Sequence, residues 1–539
     1  MEKLFKNQSL LCGVALAMAM LPAFGQTKNA ALNACAKVDG AGPPSQWVQV
    51  DSSGKLVYKT LPKGDRIMDF SSAGYMGGGV ALPSVPARTN VKPSGTGDAT
   101  SAIQAAIDTV STMPLINGFR GAVVLAPGTY NVSGALQIAA SGVVLRGSGS
   151  GTNGTVLHMT GSPHTFLSIQ GAGSPQQVGN AASITDTYVP SGSTSFHVNS
   201  ATGFRVGDAI IISRPVTAAW VHFMGMDTLV RNGSPQTWIK VGSALQTQRV
   251  IEAISGNQIT LDVPLTDSFD SQFLDPPGSS VFKYTFSGRI TQVGVEGLRV
   301  ISPPQPGALS QPANHFLRMD AVMDGWAKDI VAEETVDSLS VGSHAKQITV
   351  ANVNITHTVA TAGNAHPADF SVNGTQVLLD RCASNGDSLF FVTTGAQVQG
   401  PNVVLDGAFT GTGSATVASI QPHQRWATGL LVDRVNILHG AVDFLNRGTN
   451  GSGHGWAIGW AVAWNADASA LTIQAPPGTE NFCIGCKGAT VQRAAPGGDG
   501  KPMPEGILDS QGTSVAPSSL YLSQLCHRLG PQAVSNIGH

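Results

Sequence analysis

Between Pro422 and Trp464 the chain gathers side chains that can move protons, clamp anions and face sugar rings. His423, Arg425 and Trp426 stand together; Asn446 and Arg447 follow, and then His454 and Trp456. A neutral imidazole can take a proton, a guanidinium can neutralise a carboxylate through two parallel hydrogen bonds, and an indole offers a flat apolar face. Removing the C5 proton of a uronate while its carboxylate is neutralised calls for the first two. The roles expected are His423 as base, Arg425 as carboxylate clamp and Trp426 as sugar platform. Arg447 is a second clamp and His454 a second acid or base, with Asn446 and Trp456 as substrate contacts. The competing reading is a loop whose arginines only pair with neighbouring carboxylates. Trp460 and Trp464 continue the stripe of Trp456 and read as packing.

Repeats show what must position these residues. VGVEGLRVI, GWAKDIVAE, QITVANVNI, QVLLDRCAS, NVVLDGAFT and GLLVDRVNI share one pattern: an apolar pair, a small or turn residue, then another apolar pair. Taking Leu298, Ile330, Val353, Cys382, Ala408 and Val435 as equivalent gives spacings of 32, 23, 29, 26 and 27. A period of roughly 20 to 30 residues built of short strands indicates a solenoid. One coil cannot bury its own core, so the coils stack. Parallel crossovers are almost always right-handed. The fold expected is an all-β right-handed parallel β-helix. Residues far apart in sequence then meet on one lateral face, which brings His366 and Asp387 from preceding coils toward the cluster as further substrate contacts.

Between Ser183 and Phe286 the pattern changes to alternating strands with Gly turns, read as a small inserted antiparallel β-domain. Trp220 and Trp238 are expected to fill its local core. The division expected is 1–25 signal peptide, 26–182 N-terminal segment with cap helix and first coils, 183–286 insertion, 287–493 main β-helix and 494–539 C-terminal tail. Asp98 to Ile107 reads as an amphipathic helix closing the N-terminal end, and Ser519 to Leu525 as a short helix packing back on the solenoid.

The runs DFSSAGYMGGG, GTGDATSAIQAAID, GAVVLAPGTY and SGVVLRGSG resemble the N-terminal part of the pectate lyase superfamily of β-helix proteins. The resemblance covers roughly Asp69 to Ser150, and in architecture the coils after Gly288. It implies a polysaccharide-active β-helix. Asp380, Asp406 and Asp433 each follow an apolar pair at almost equal spacing and are expected to stack as a carboxylate ladder; because pectate lyases of this superfamily often use aspartate-bound Ca²⁺, the resemblance implies calcium as its functional reading. Arg381 and Arg434 stand beside two of them, which favours turn chemistry over calcium, so no metal ligand is assigned. Gly453-His454-Gly455 also occurs in the polygalacturonase branch, and Asn385-Gly386-Asp387 precedes it here. The Asp-Asp and Arg-x-Lys motifs that accompany it there do not follow in order.

Composition excludes several classes. Lys and Arg number 31 against 33 Asp and Glu, a net charge of −2, which leaves no basic footprint for nucleic acid. Charged residues make up 12% of the chain, where about 25% is usual, and there are 64 glycines. Lys3 and Lys6, the apolar run from Leu10 to Leu21 and Ala23-Phe24-Gly25 read as an export signal cleaved after Gly25. No later run is long and apolar enough to insert in a membrane. Without Cys12 five cysteines remain, an odd number that precludes a complete disulfide framework; Cys483 and Cys486 read as a local disulfide or two core thiols. The expected protein is an exported monomer that cleaves an acidic, uronate-containing polysaccharide by β-elimination. The rivals are a glycoside hydrolase using Asp387 with a carboxylate such as Asp443, and a non-catalytic carbohydrate-binding or adhesion solenoid.

Overall fold

The computed structural model describes residues 35–305, 311–359, 368–386, 390–413 and 418–539. Strands from Ala87–Val91 to Ile507–Asp509 pair in parallel and wind into a right-handed β-helix with three lateral faces. In the coil at Val322–Glu333, one long strand bends to serve two faces. It pairs with Ile290–Glu296 and Arg299–Ile301 on one side and with Lys346–Thr356 on the other. Strands such as Leu339–Val341, Ala368–Val372, Phe390–Thr394 and Ala418–Ile420 make the third face. Every coil sends Val, Leu, Ile and Phe inward, and these form one continuous core from Val91 to Cys486.

The turn between the first and second faces is a single residue. In register, Gly297, Asp329, Asn352, Arg381, Asp406, Arg434, Asn465, Gly485 and Ser510 occupy this corner, and all have φ between 48° and 67°. Left-handed backbone is costly for most residues and least so for Gly, Asn and Asp, which supply six of these nine corners.

This corner corrects two expectations. Leu298, Ile330, Val353, Cys382 and Val435 do share one column, but the residue between the last two is Gly407, and Ala408 lies one place further on. The aspartates are likewise not one ladder. Asp380 and Asp433 flank Leu405 in register, while Asp406 is itself the corner. Their carboxylates are spent on the fold. Asp380 pairs with Arg381 at 2.5 Å and His539 at 2.9 Å, and Asp406 takes both Nε and an Nη of Arg434. Buried Asp433, its carboxyl pushed up to about 7 by burial, accepts from Ser519 Oγ and the Tyr521 amide. Among the described residues no group of three or more His, Cys, Asp or Glu side chains is placed to hold a metal ion.

A helix caps the N-terminal end of the solenoid. Helix Thr100–Ser111 buries Ile103, Ile107 and Val110 against the first coils. Helix Leu520–Leu529 is N-capped by Ser519 and packs on the outer side of the first face with Trp47, Phe70, Trp460 and Trp464. A disulfide between Cys35 and Cys526, 491 residues apart, fastens this helix to the start of the described chain; a second joins Cys483 to Cys486, and Cys382 is free and buried. The long-range bridge is absent from the sequence reading, because odd cysteine arithmetic gives no pairing. No helix among the described residues is long and apolar enough to cross a membrane. The signal segment lies outside the described residues.

The insertion is a six-stranded antiparallel sheet running from Gln176–Ser183 to Ser280–Thr285. It leaves the solenoid after Thr165–Gln170 and returns at Ile290–Glu296. It does not stand apart. Arg249, fully buried, donates to Val263 and Pro264 within the insertion and to Gly400 on the solenoid, and Thr266 bonds Thr428. The insertion is thus fixed against the coils that carry the candidate site.

Candidate functional site

The loop from Ile420 to Ala427 turns the chain from the third face to the first, and residues 445–457 make the same turn one coil later. Stacking sets the two turns side by side. The amides of Arg425, Trp426 and Ala427 donate to the carbonyls of His454, Trp456 and Ala457 at 2.8 to 3.0 Å. To fit this pairing Arg425 and Trp426 both take left-handed backbone, φ 53° and 64°, a conformation sparsely populated by bulky side chains. Gly455 sits at φ 55°, where an added Cβ would lie 2.4 Å from Trp238. The glycine at 455 is therefore required by the ring above it.

The turns divide their side chains between two sides. On one, the rings of His423 and His454 meet edge to face, 4.8 Å between centroids. Phe390 lies 5.4 Å from His423, and the Arg447 guanidinium stands 5.4 Å from the same phenyl ring. Arg447 donates one Nη to the His423 carbonyl at 2.8 Å. Burial, then the Arg447 and Arg425 charges, push the His423 imidazolium down to about 4. Burial, Arg447 and His423 push His454 down to about 3. Both rings are thus neutral at pH 7. His454 Nδ1 is buried without a hydrogen-bond partner among the described residues. Arg447 itself is lowered to about 10 by burial, against the pull of Asp443. The corner offers two neutral imidazoles and one cation with donors to spare.

On the other side the expected sugar platforms are covered. Trp426 and Trp456 are each 1% exposed and share one core with Trp220 and Trp238 of the insertion, the Trp426 ring centroid lying 5.7 Å from that of Trp220 and 6.0 Å from that of Trp238. Their indole N–H groups donate to Asp267 and to the Met224 carbonyl. Trp220 and Trp238 therefore do more than fill a local core: they clamp the insertion to the solenoid. Neither Trp426 nor Trp456 is an open stacking surface, because apolar burial against the insertion has claimed both faces.

Arg425 is also committed. Its Nε donates to the Trp238 carbonyl, one Nη to Gln424 and the other to Ser452. It holds the insertion and the 445–457 turn together and is no free carboxylate clamp. Arg425→Lys loses the forked geometry of these bonds. The expected result is a loss of about 1–3 kcal/mol of stability, with substrate affinity in the surviving folded protein unchanged. Thermal unfolding beside a binding titration separates the two.

Asn446 is buried, with its Oδ1 accepting from the Gly448 amide, and acts as a turn former. Asp443 is buried, its carboxyl raised by burial, and is bound to Gln421 with Arg493 at 3.6 Å. It is not free to serve as the second acid of a hydrolase. His366 and Asp387 lie outside the described residues.

No protein-family model and no curated protein matches the chain. Solved structures do. The tailspike gp49 of Pseudomonas phage LKA1 aligns at 12% identity and TM-score 0.36, covering 77% of this chain and 72% of that one. The tailspike of E. coli bacteriophage HK620 in complex with a pentasaccharide aligns at 11% identity and TM-score 0.40, covering 85% and 63%. The Gp54 tailspike of Acinetobacter baumannii bacteriophage AP22, in complex with capsular saccharide, aligns at 12% and 0.30, covering 73% and 55%. These are similarities in the winding of the chain. Nothing in the site geometry rests on them. The β-helix that the superfamily resemblance implied is present; the chemistry it implied is a separate matter.

Two side chains escaped the sequence reading. Phe390, from the coil before, forms a wall of the His423 corner. Glu480 lies in the next turn of the same lateral edge, where Ala475 to Thr479 lead back to the first face. The signal for Glu480 was available: the turn that carries His423 and then His454 recurs once more.

Proposed function

We propose that this chain is a carbohydrate-active β-helix protein that cleaves a uronate-containing polysaccharide by β-elimination, and that it acts after export. The observation that carries the reading is the pair of neutral imidazoles 4.8 Å apart beside the Arg447 guanidinium. The substrate carboxylate binds Arg447, whose donors suit a planar anion. Pairing with that carboxylate removes much of the charge that opposes protonation of His423, so the imidazole becomes a stronger base as substrate enters. His423 takes the C5 proton. The C5–H electron pair forms the C4–C5 double bond, the C4–O bond breaks, and the departing oxygen takes a proton from water. His454 keeps the neighbouring wall neutral and polar.

The test is digestion of a panel of uronate polysaccharides, following the ultraviolet absorbance of unsaturated uronate ends beside total reducing ends. Both rise together if the reading is right. Reducing ends without the absorbance indicate hydrolysis, and binding with neither product indicates a non-catalytic solenoid.

A further inference from the structure

The insertion and the solenoid enclose a second feature that the elimination chemistry does not use. Beyond the Trp426 and Trp456 rings lies a cleft of about 790 Å³, floored by those indoles and Trp220. Its rim carries Phe223, 37% exposed and stacked on Phe273 at 4.0 Å. That rim is an apolar platform of the kind the buried indoles no longer offer.

The charges lining the cleft are unbalanced. Asp65, Asp267, Asp270 and Glu480 face only Lys63 and Arg214. Lys63 is taken by Asp270 at 2.7 Å, and Arg214 stands 3.5 Å from Asp267 while stacking on Trp220. Asp65 accepts from Tyr188 Oη and the Ser191 amide. Glu480 is the carboxylate left over. Burial alone acts on it, pushing it up to about 6, with no hydrogen bond or charge among the described residues to offset the cost. A half-buried acid without a partner, at the wall of an aromatic cleft, is stabilised by a ligand that brings a cation and an apolar face.

We propose that this cleft is a binding site for an amino-sugar residue, with its ammonium group on Glu480 and the apolar face of its ring on Phe223. The surplus of carboxylates disfavours a uronate here, so the site is separate from the His423 corner in place and in ligand charge. The exposed Phe223 ring at the rim favours a sugar ring over a flexible amine.

The experiment is calorimetric titration of the full-length mature protein, at pH 6.5 where Glu480 is mostly ionised and the sugar amine substantially protonated, with a glucosamine tetramer, an N-acetylglucosamine tetramer, a galacturonate tetramer and tetralysine. The glucosamine tetramer is expected to bind, and Glu480→Gln to weaken it by about tenfold or more, the worth of a charge-assisted hydrogen bond. Glu480 holds Trp460 through its backbone carbonyl, so this substitution leaves the local fold in place. Phe223→Ala, at the exposed rim, is expected to weaken the same ligand. Binding unchanged in Glu480→Gln, equal binding of the acetylated tetramer or of tetralysine, or no binding of glucosamine tetramer by the wild type each overturns the proposal. These readings need no cleavage of a uronate chain, so they stand or fall apart from it.

Discussion

Replacing His423 with alanine lowers turnover on a uronate polysaccharide by about 10²- to 10⁴-fold, the usual contribution of a positioned general base. The main-chain bonds of this residue, from its amide to Thr394 and from Arg447 to its carbonyl, do not depend on the ring. The variant therefore keeps the turn and most of its substrate affinity, and the loss falls on kcat more than on KM. Wild-type turnover in the variant would remove His423 from the mechanism. A rise in KM alone would make it a binding residue.

Acid weakens the fold through the same pair of rings. Both histidines have folded values, about 4 and about 3, below the ordinary 6.5. A depressed value means that the unfolded chain binds protons first, so the stability these rings contribute is complete above pH 6.5 and is lost as pH falls toward 4 and then 3. Two partly screened groups give a loss on the order of 2–4 kcal/mol between pH 7 and pH 4. His454→Gln carries no titrating ring, and its pH–stability curve is flatter than the wild type's over that window by about 1–2 kcal/mol. Chemical denaturation at pH 7, 5.5 and 4 reads the difference between the two proteins, so the carboxylates common to both cancel. Parallel curves would show that His454 is not held neutral by its surroundings.

The winding of the chain was legible because strand periodicity repeats in the residues themselves. Leu298, Ile330, Val353, Cys382 and Val435 stack as their spacing implied, and the N-terminal cap helix and the C-terminal helix fall where amphipathic patterns begin. The slip at Ala408 has a physical source. Gly407 occupies a core position that is apolar in the neighbouring coils. Asp406, at the left-handed corner, mimics the Asp380 and Asp433 that stand one residue earlier in theirs.

The meeting of His423 with His454 follows from coil geometry, since one further turn returns the chain to the same edge. The fates of Trp426, Trp456 and Arg425 do not. Each is decided by the insertion, about 200 residues away in sequence, whose Trp220, Trp238 and Met224 supply the covering surface and the acceptors. A one-dimensional pattern shows which residues share a lateral edge but not what folds over that edge. For the same reason the Cys35–Cys526 bridge and the Asp433–Ser519 contact were invisible until the C-terminal helix was in place.

Elimination and hydrolysis differ in whether water enters the product, and this can be read directly. Digestion of a uronate polysaccharide in heavy-oxygen water, followed by mass spectrometry of the oligosaccharides, tests the central claim at the level of atoms. Elimination at the His423 corner gives products carrying an unsaturated terminal uronate, with no heavy oxygen built in at the cleaved bond. Products one water heavier, with the label at the new reducing end, would contradict it.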